Sequence, residues 1–228
     1  MTTLVGLVTK KGKSSVILGS DRNMTTTNSK DDGEITYKEE TKSDRQKIYV
    51  NNDRTAVLGV TGIEDNAYAE FMGRFIEGRF NLKKIIRDGF FPELVGLNMA
   101  RWDDKEPDSH YNRFFLATRF GKPKLYLCWQ LGKVEEKPYD ADGSGSEYAI
   151  DYLESKSSLI SQLTSIEDGI NLITSSLEKA SKDIHTNGLD LVVLTKKGIY
   201  EFGNEIRWAM ESARVMEIEK IKKLSKSF

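Results

Sequence analysis

The chain has 228 residues, with 34 Lys and Arg against 35 Asp and Glu, and 38% of its residues are apolar. The length and apolar content suit one domain over residues 1–228 with a sizeable core, and the balanced charge gives no indication of a nucleic-acid partner. No apolar run approaches the ~20 residues that span a membrane, and the N-terminus lacks the basic and long apolar parts of a signal peptide. We therefore expect neither a nucleic acid nor a membrane as partner.

The first quarter of the chain predicts short strands joined by turns. Four segments are rich in β-branched and apolar residues and are separated by turn residues: Thr3–Val8, Ser15–Leu18, Lys47–Val50 and Thr55–Val60. The last two flank Asn51–Asp53, which is a hairpin pattern. The polar stretch from Thr25 to Gln46 is typical of a loop, with a short strand at Ile35–Tyr37.

Helical periodicity begins after Gly62. Large apolar residues at i, i+3, i+4, i+7 and i+8 predict one buried helix face: Tyr68, Phe71, Met72, Phe75 and Ile76. Leu82–Ala100 predicts a second helical region that is interrupted near Gly89 and Pro92. We interpret the aromatic stripe of the first helix as core packing.

Strands return in the middle of the chain. Arg113–Arg119 and Lys124–Gln130 form a hairpin pattern, and Val134–Pro138 predicts a further short strand. The single cysteine, Cys128, lies inside an apolar run, which favours a buried strand residue over a reactive thiol. One cysteine allows no intrachain disulfide, so we expect a cytoplasmic protein.

The last third predicts helices around one more hairpin. Gly143–Ser146 opens a helix that runs to about Glu154, and Thr164 with Glu167 forms a capping box for the next helix. That helix has one apolar face, with Ile166, Ile170, Ile173, Leu177 and Ala180. Leu189–Thr195 and Gly198–Phe202 predict a hairpin, and Asn204 caps a final helix.

The order of elements indicates the fold class. Blocks of hairpins alternate with blocks of helices, which is typical of α+β layering with largely antiparallel sheets. Two sheets packed face to face, with helices on both outer faces, would bury every apolar face described above.

Thr2 is a candidate nucleophile. A threonine hydroxyl needs an adjacent base, and an N-terminal threonine supplies one, since an α-amine has a pKa of about 7.7–8.0. Threonine after the initiator methionine is common, so this position alone does not indicate a catalytic role for Thr2.

Six short motifs occur in the order found in proteasome β subunits: Met1–Gly6, Gly19–Arg22, Lys47–Val50, Val60–Gly62, Gly143–Ser146 and Asp183–Thr186. The chain resembles this superfamily and the related bacterial two-component ATP-dependent threonine peptidase, both of them N-terminal-nucleophile (Ntn) hydrolases. The resemblance covers nearly the whole chain. It implies a four-layer αββα sandwich, with two mainly antiparallel sheets between helix layers.

The resemblance also implies roles for seven residues, which we take as candidate catalytic residues: Thr2, Asp21, Lys47, Gly62, Ser144, Asp183 and Thr186. In the family pattern the threonine is the nucleophile, the first aspartate orients the lysine, and the glycine N–H binds the oxyanion. The lysine ammonium favours the uncharged amine of the threonine. Ser144 lies near that amine, and Asp183 and Thr186 hold the amine in position.

Each assignment has a structural alternative. Asp21 could simply end a strand, Lys47 could be a surface lysine, and Asp183 could belong to a helix C-terminal turn. The chain also departs from the family pattern: Asn23 replaces an arginine, the gap between the aspartate and the lysine is enlarged, and Thr186 replaces a serine. These departures leave the subfamily and the substrate open.

The resemblance places four residues around the substrate side chain: Met24, Tyr49, Val60 and Glu64. An apolar floor at Val60 suits medium apolar side chains, while Glu64 could admit a basic one. The two histidines, His110 and His185, and the absence of a Cys-x-x-Cys motif indicate no zinc site. We expect no cofactor.

The sequence therefore predicts a threonine endopeptidase acting on peptides or unfolded proteins. By resemblance it would assemble, with its own copies or with related subunits, into a ring served by an ATPase unfoldase. Two alternatives stay open. One is a transpeptidase or ligase that passes the acyl group to an amine, and the other is a non-catalytic ring subunit. Thr2, Asp21 and Lys47 occurring together favours an enzyme over the non-catalytic subunit.

Overall fold

The computed structural model describes residues 3–9, 14–31, 36–44, 46–61, 66–99, 113–129, 131–162, 165–180 and 189–202. These ranges contain strands β1 (Thr3–Thr9), β2 (Ser15–Asp21), β3 (Asn23–Asp31), β4 (Thr36–Asp44), β5 (Ile48–Val50), β6 (Ala56–Thr61), β7 (Arg113–Thr118), β8 (Lys124–Cys128), β9 (Val134–Lys137), β10 (Tyr139–Gly143), β11 (Leu189–Thr195) and β12 (Ile199–Phe202). The helices are α1 (Asn66–Ile76), α2 (Leu82–Asp88), α3 (Pro92–Met99), α4 (Ser146–Ser155), α5 (Ser157–Gln162) and α6 (Ile166–Ala180).

The strands form two five-stranded sheets and one two-stranded ribbon. Sheet I has the order β10-β1-β2-β11-β12, and sheet II has the order β5-β6-β7-β8-β9. The ribbon pairs β3 with β4. Every strand pair is antiparallel, as the hairpin patterns predict.

Three apolar clusters define four layers. The central cluster lies between the sheets and joins Leu4 and Leu18 of sheet I to Val57 and Phe115 of sheet II. A second cluster packs α4 and α6 on the outer face of sheet I. A third packs α1, α2 and α3 on the outer face of sheet II. The order helix, sheet, sheet, helix confirms the predicted αββα sandwich.

Strand β1 shows why the central strands are continuous apolar runs in the sequence. Successive side chains of a strand point to opposite faces. Leu4 enters the cluster between the sheets, whereas Val5 and Leu7 enter the cluster under the helices. Both faces are covered, so nearly every residue of the strand is buried. Each fully buried aliphatic side chain contributes about 1.5–3 kcal/mol.

The predicted helix faces are the buried ones. In α1 the buried residues are Tyr68, Phe71, Met72 and Phe75, and the Phe71 ring lies 5.0 Å from the Phe114 ring of sheet II. The predicted interruption is also present: α2 ends at Gly89, whose φ of 65° is left-handed and easily adopted by glycine. In α6 the five predicted residues are buried.

The N-terminus of α6 corrects one detail. The hydroxyl of Ser165 accepts the Asp168 backbone N–H at 3.0 Å and donates to the Asp168 carboxylate at 2.7 Å. The pairing of a hydroxyl with an acidic residue three positions later is therefore shifted by one residue from the predicted Thr164 and Glu167. Thr164 and the helix predicted after Asn204 lie outside the described residues.

The polar stretch before Lys47 is the largest error of the sequence prediction. A loop was expected from Thr25 to Gln46, but β3 and β4 pair over nine successive positions, from Asn23 opposite Asp44 to Asp31 opposite Thr36. Apart from the short strand predicted at Ile35–Tyr37, which overlaps the start of β4, the pattern gave no strand signal, because these residues are almost all polar and lack a period-two apolar face. The ribbon begins at Asn23, directly after Arg22, and ends at Asp44, shortly before Lys47.

Strand β10 was also missed. The prediction placed no strand between Pro138 and the helix that it opened at Gly143, yet Tyr139–Gly143 pairs with β1 at the edge of sheet I. Tyr139 and Ala141 alternate with Asp140 and Asp142 as in a half-buried strand, but this alternation covers only four residues. Among the described helices, none has the combined length and apolar character that crossing a membrane requires.

Candidate active site

A buried ion pair lies where β2 ends and β5 begins. Lys47 Nζ is 3.0 Å from Asp21 Oδ2. The two residues are only 5% and 2% exposed. Lys47 is therefore not a surface lysine. Two charges withdrawn from water in this way are tolerable only when they are paired.

The other oxygen of Asp21 holds the start of β1. The Thr3 backbone N–H donates to Asp21 Oδ1 at 2.5 Å. This contact follows from register, because Leu4 pairs with Ser20 and the next residues along the two strands are Thr3 and Asp21. One carboxylate thus joins the beginning of β1 to the Lys47 ammonium.

The turn between β10 and α4 lies against the same end of β1. Gly143 pairs with Thr3 in the strand register. A Cβ on Gly145 would lie 2.5 Å from Thr3 Oγ1, so this approach requires glycine. Ser144 lies between these two glycines and its side chain is exposed. The structure therefore brings Asp21, Lys47 and the Ser144 turn to one end of β1.

Two of the predicted substrate-pocket residues share one face of sheet II. Val60 is 4% exposed, and its backbone N–H donates to the Lys47 carbonyl at 3.0 Å. Val60 belongs to the cluster under α1, and the half-buried Tyr49 packs against that cluster. The Tyr49 hydroxyl donates to the Gln46 carbonyl at 2.7 Å. Met24 lies in β3 opposite Ser43, and its side chain is outside the described atoms.

Several predicted residues lie outside the described part of the chain: Thr2, Gly62, Glu64, Asp183 and Thr186, and both histidines. Thr3 follows Thr2 along the chain and Thr61 precedes Gly62, and both of these neighbours are described.

Sequence reasoning missed a cluster that joins the two sheets at this end. Asp142 of β10 accepts hydrogen bonds from the Thr61 hydroxyl through Oδ2 and from Arg113 Nη1 through Oδ1, the latter at 3.0 Å. Thr61 and Arg113 are register partners in β6 and β7. The only signal in the sequence is an aspartate directly before Gly143–Ser146, and without β10 it had no place in the fold.

A second missed carboxylate lies beside the site. Asp190 of β11 pairs in register with Ser20 and is 9% exposed. Its Oδ1 is 3.8 Å from Arg22 Nη1, so a charged contact follows directly after Asp21. Nothing in the spacing of Arg22 and Asp190 along the chain indicates this pairing.

Cys128 lies in the cluster under α1–α3, as its apolar surroundings predict. Burial raises the pKa of its thiol to about 12, so the thiolate that a cysteine nucleophile requires is not formed near neutral pH. Cys128 is therefore a structural residue.

The geometry of the ion pair has a chemical consequence. An ammonium held at a fixed place lowers the pKa of a nearby amine, because two positive charges in a water-poor region repel. An amine next to the start of β1 would thus be more readily uncharged, and an uncharged amine can act as a base.

Comparison with known proteins identifies relatives over almost the full chain. No protein-family model matches. "Proteasome subunit beta 1" of Thermococcus gammatolerans is 28% identical over 202 residues, covering 88% of this chain and 92% of that protein. "Proteasome subunit beta 2" of Pyrococcus furiosus is 28% identical over 205 residues, covering 88% and 90%. "Proteasome subunit beta 1" of Thermococcus onnurineus is 27% identical over 206 residues, covering 90% and 93%.

Proposed function

Because the chain belongs to the proteasome β-subunit superfamily, we propose that it is a threonine peptidase with Thr2 as an N-terminal nucleophile. The observation that best supports this is the buried Lys47–Asp21 pair, whose carboxylate also binds the Thr3 N–H. This carboxylate joins the Lys47 ammonium to the main chain next to Thr2, where the proposed mechanism needs a fixed positive charge.

Chain connectivity supports the role of Thr2. Thr2 is covalently joined to Thr3, and the Thr3 N–H donates to Asp21. In the proposed reaction Thr2 Oγ attacks the peptide carbonyl carbon while its own amine takes the hydroxyl proton. The C–N bond then breaks, and the leaving amine receives that proton. Water, deprotonated by the same amine, hydrolyses the ester and releases the acid.

The remaining assignments complete this mechanism. The Gly62 N–H would stabilise the negative charge that develops on the carbonyl oxygen. Ser144 would lie near the Thr2 amine, and its place in the turn beside Thr3 is compatible with that role. Asp183 and Thr186 would hold the amine in position.

The proposed substrate pocket is formed by four residues: Met24, Tyr49, Val60 and Glu64. Support comes from Val60 and Tyr49, which lie in or against one cluster on sheet II. We propose that medium apolar or basic side chains are accepted before the cleaved bond. Cleavage only after acidic residues, in a panel of fluorogenic peptides, would contradict this lining.

Catalysis by Thr2 can be tested with two substitutions. The mechanism requires a free α-amine on Thr2, which intact-mass analysis of the active protein checks. Thr2→Ala should abolish peptide hydrolysis while preserving the circular dichroism spectrum, since it removes only a hydroxyl and a methyl. Thr2→Ser should retain turnover, because the hydroxyl and the amine both survive. Full activity of Thr2→Ala, or of protein that keeps residues before Thr2, would disprove the mechanism.

One structural feature favours a second candidate function. The β3–β4 ribbon begins shortly after Asp21 and ends shortly before Lys47 in the chain. It could therefore present an acceptor peptide to the acyl-enzyme. The enzyme would then be a transpeptidase or ligase. Mass spectrometry of reactions supplied with a second peptide separates the two functions, since joined peptides without hydrolysis would support the ligase.

The assembly of the protein, its location and its substrates are also proposed from the family. We propose that residues 1–228 form one domain and that copies, or related subunits, assemble into a ring in the cytoplasm. The substrates would be unfolded chains delivered by an ATPase. A ring without activity would instead support the non-catalytic subunit, and the Thr2 substitutions distinguish these cases.

A further inference from the structure

The Asp142 carboxylate connects two parts of the proposed active site. Asp142 is the residue before Gly143 in β10, so it directly precedes the turn that contains Ser144. Its hydrogen-bond partner Thr61 is the last residue of β6 and directly precedes Gly62. These two residues are 81 positions apart in the chain and belong to different sheets.

The contacts are arranged so that both carboxylate oxygens are used. Oδ2 accepts the Thr61 hydroxyl hydrogen bond, and Oδ1 accepts Arg113 Nη1 at 3.0 Å. The Asp142 side chain is 13% exposed, so water competes little for it. The guanidinium of Arg113 is itself held, because it lies 5.3 Å from the centre of the Trp129 ring. Charge-assisted hydrogen bonds of this kind are stronger than neutral ones.

The position of this cluster differs from that of ordinary inter-sheet packing. Most of the space between the sheets is filled by aliphatic and aromatic side chains, which fix separation but allow small sliding movements. The two hydrogen bonds of Asp142, one from Thr61 at the end of β6 and one from Arg113 at the start of β7, fix these strand ends relative to β10. Since β10 is paired with Thr3, this tie sets the end of β6 in relation to the start of β1 as well.

We propose that Asp142 is a positioning residue, which holds the end of β6 so that the Gly62 N–H meets the developing oxyanion beside Thr2. This inference rests on the proposed function. Asp142 would touch neither the substrate nor the reacting atoms and would act through Thr61. A displacement of about 1 Å can cost roughly a hundredfold in rate, so a remote hydrogen bond is sufficient to matter.

The test uses two nearly isosteric substitutions. Asp142→Asn keeps the shape but replaces one accepting oxygen with an NH₂ group. The Arg113 guanidinium can only donate and therefore keeps the remaining oxygen, so the Thr61 hydroxyl loses its carboxylate acceptor. Thr61→Val removes only the hydroxyl. Both should lower kcat for peptide hydrolysis by about tenfold to a hundredfold and leave KM unchanged. The double variant should be no slower than the slower single variant, because both act through one hydrogen bond.

A second readout separates positioning from general damage. A peptide vinyl sulfone alkylates a nucleophilic hydroxyl by conjugate addition, which forms no carbonyl oxyanion for the Gly62 N–H to stabilise. Its rate of labelling, measured by mass spectrometry, should match wild type in Asp142→Asn. Glu136→Gln is the matched control, because it removes the charge of an exposed pair, Lys124–Glu136, at 2.6 Å. Glu136→Gln should change neither the rate of peptide hydrolysis nor the rate of vinyl sulfone labelling.

The outcomes distinguish this inference from the proposed function. Wild-type protein that neither cleaves peptides nor is labelled on Thr2 overturns both. If wild type is active and Asp142→Asn has the same kcat, only the positioning role is wrong. If Asp142→Asn loses labelling and hydrolysis together, Asp142 supports the fold in general and the positioning role is again wrong.

Discussion

Thr3 and Asp21 are joined by a hydrogen bond from a main-chain N–H to a buried carboxylate, 2.5 Å long. The second oxygen of the same carboxylate binds Lys47 at 3.0 Å. The two contacts have different chemical requirements. The first needs an accepting oxygen and the second needs a negative charge, so substitution can separate them.

The first prediction concerns Asp21→Asn. The amide oxygen can still accept the Thr3 N–H, but the Lys47 ammonium loses its anionic partner in a buried place. Removing one member of a buried ion pair costs about 3–5 kcal/mol, so urea denaturation should show a loss of that order. Peptide hydrolysis should fall strongly as well.

The control for Asp21→Asn is Glu201→Gln. It removes the charge from an exposed pair, Arg54–Glu201, at 2.8 Å, and exposed pairs contribute at most about 1 kcal/mol. Equal stability losses in the two variants would show that the Asp21–Lys47 pair is not the buried electrostatic contact described above.

The second prediction concerns Cys128. Burial raises the pKa of its thiol to about 12, from an ordinary 9.0, so the native thiol stays protonated at pH 8. A thiol reagent such as DTNB should react only after unfolding and should leave native peptide hydrolysis intact. Because the unfolded thiol ionises first, its contribution to stability is present below about pH 9 and is lost as the pH rises towards 12. Rapid reaction in the native state would contradict the buried position.

The third prediction concerns assembly. Among the residues that the structure describes, four large apolar side chains are 45–58% exposed: Phe90, Leu131, Tyr148 and Leu159. With the family's ring assembly, this leads us to expect a native particle many times heavier than the 25.9 kDa chain. Light scattering over a concentration series measures it. A clean monomer at micromolar concentrations would argue against the ring.

The sequence predicted those elements in which apolar residues recur at the regular spacing of a helix or a strand. Helices α1 and α6 were found because each has one apolar stripe, and the apolar hairpins were found for the same kind of reason. The ribbon from Asn23 to Asp44 was missed except for the segment Ile35–Tyr37, because its residues are almost all polar and have no period-two apolar alternation. Strand β10 was missed because the alternation of Tyr139 and Ala141 with Asp140 and Asp142 is only four residues long and leads directly into the glycines of the next turn.

The candidate site was predictable in part only. Asp21 and Lys47 lie 26 positions apart, and nothing in the local sequence pairs them, so only the resemblance to a family singled them out. The contact of Asp142 with Thr61 crosses between sheets. Such contacts depend on how two sheets are superposed, which hydrophobic patterns do not determine.

The last prediction concerns Lys47, and it separates a catalytic lysine from a structural one. If Thr2 uses its own amine as base, the Lys47 ammonium must keep that amine uncharged near pH 7–8. In Lys47→Ala the pKa of the amine should rise, because a positive neighbour is gone. The acid limb of the pH profile of kcat/KM should therefore move to higher pH, and activity at pH 7 should fall. Lys47→Arg should fail too, since a guanidinium does not fit the place of a compact ammonium.

The control is Lys124→Ala, which removes a lysine that pairs with Glu136 at 2.6 Å but is 43% exposed. It should leave the pH profile where it is. Circular dichroism must show that each variant is folded, because Lys47→Ala also leaves the Asp21 charge without its ammonium. A folded Lys47→Ala protein with the wild-type rate and pH profile would mean that the buried pair serves only the fold. In that case Thr2 would need another source for its base, and the site assignment would be wrong.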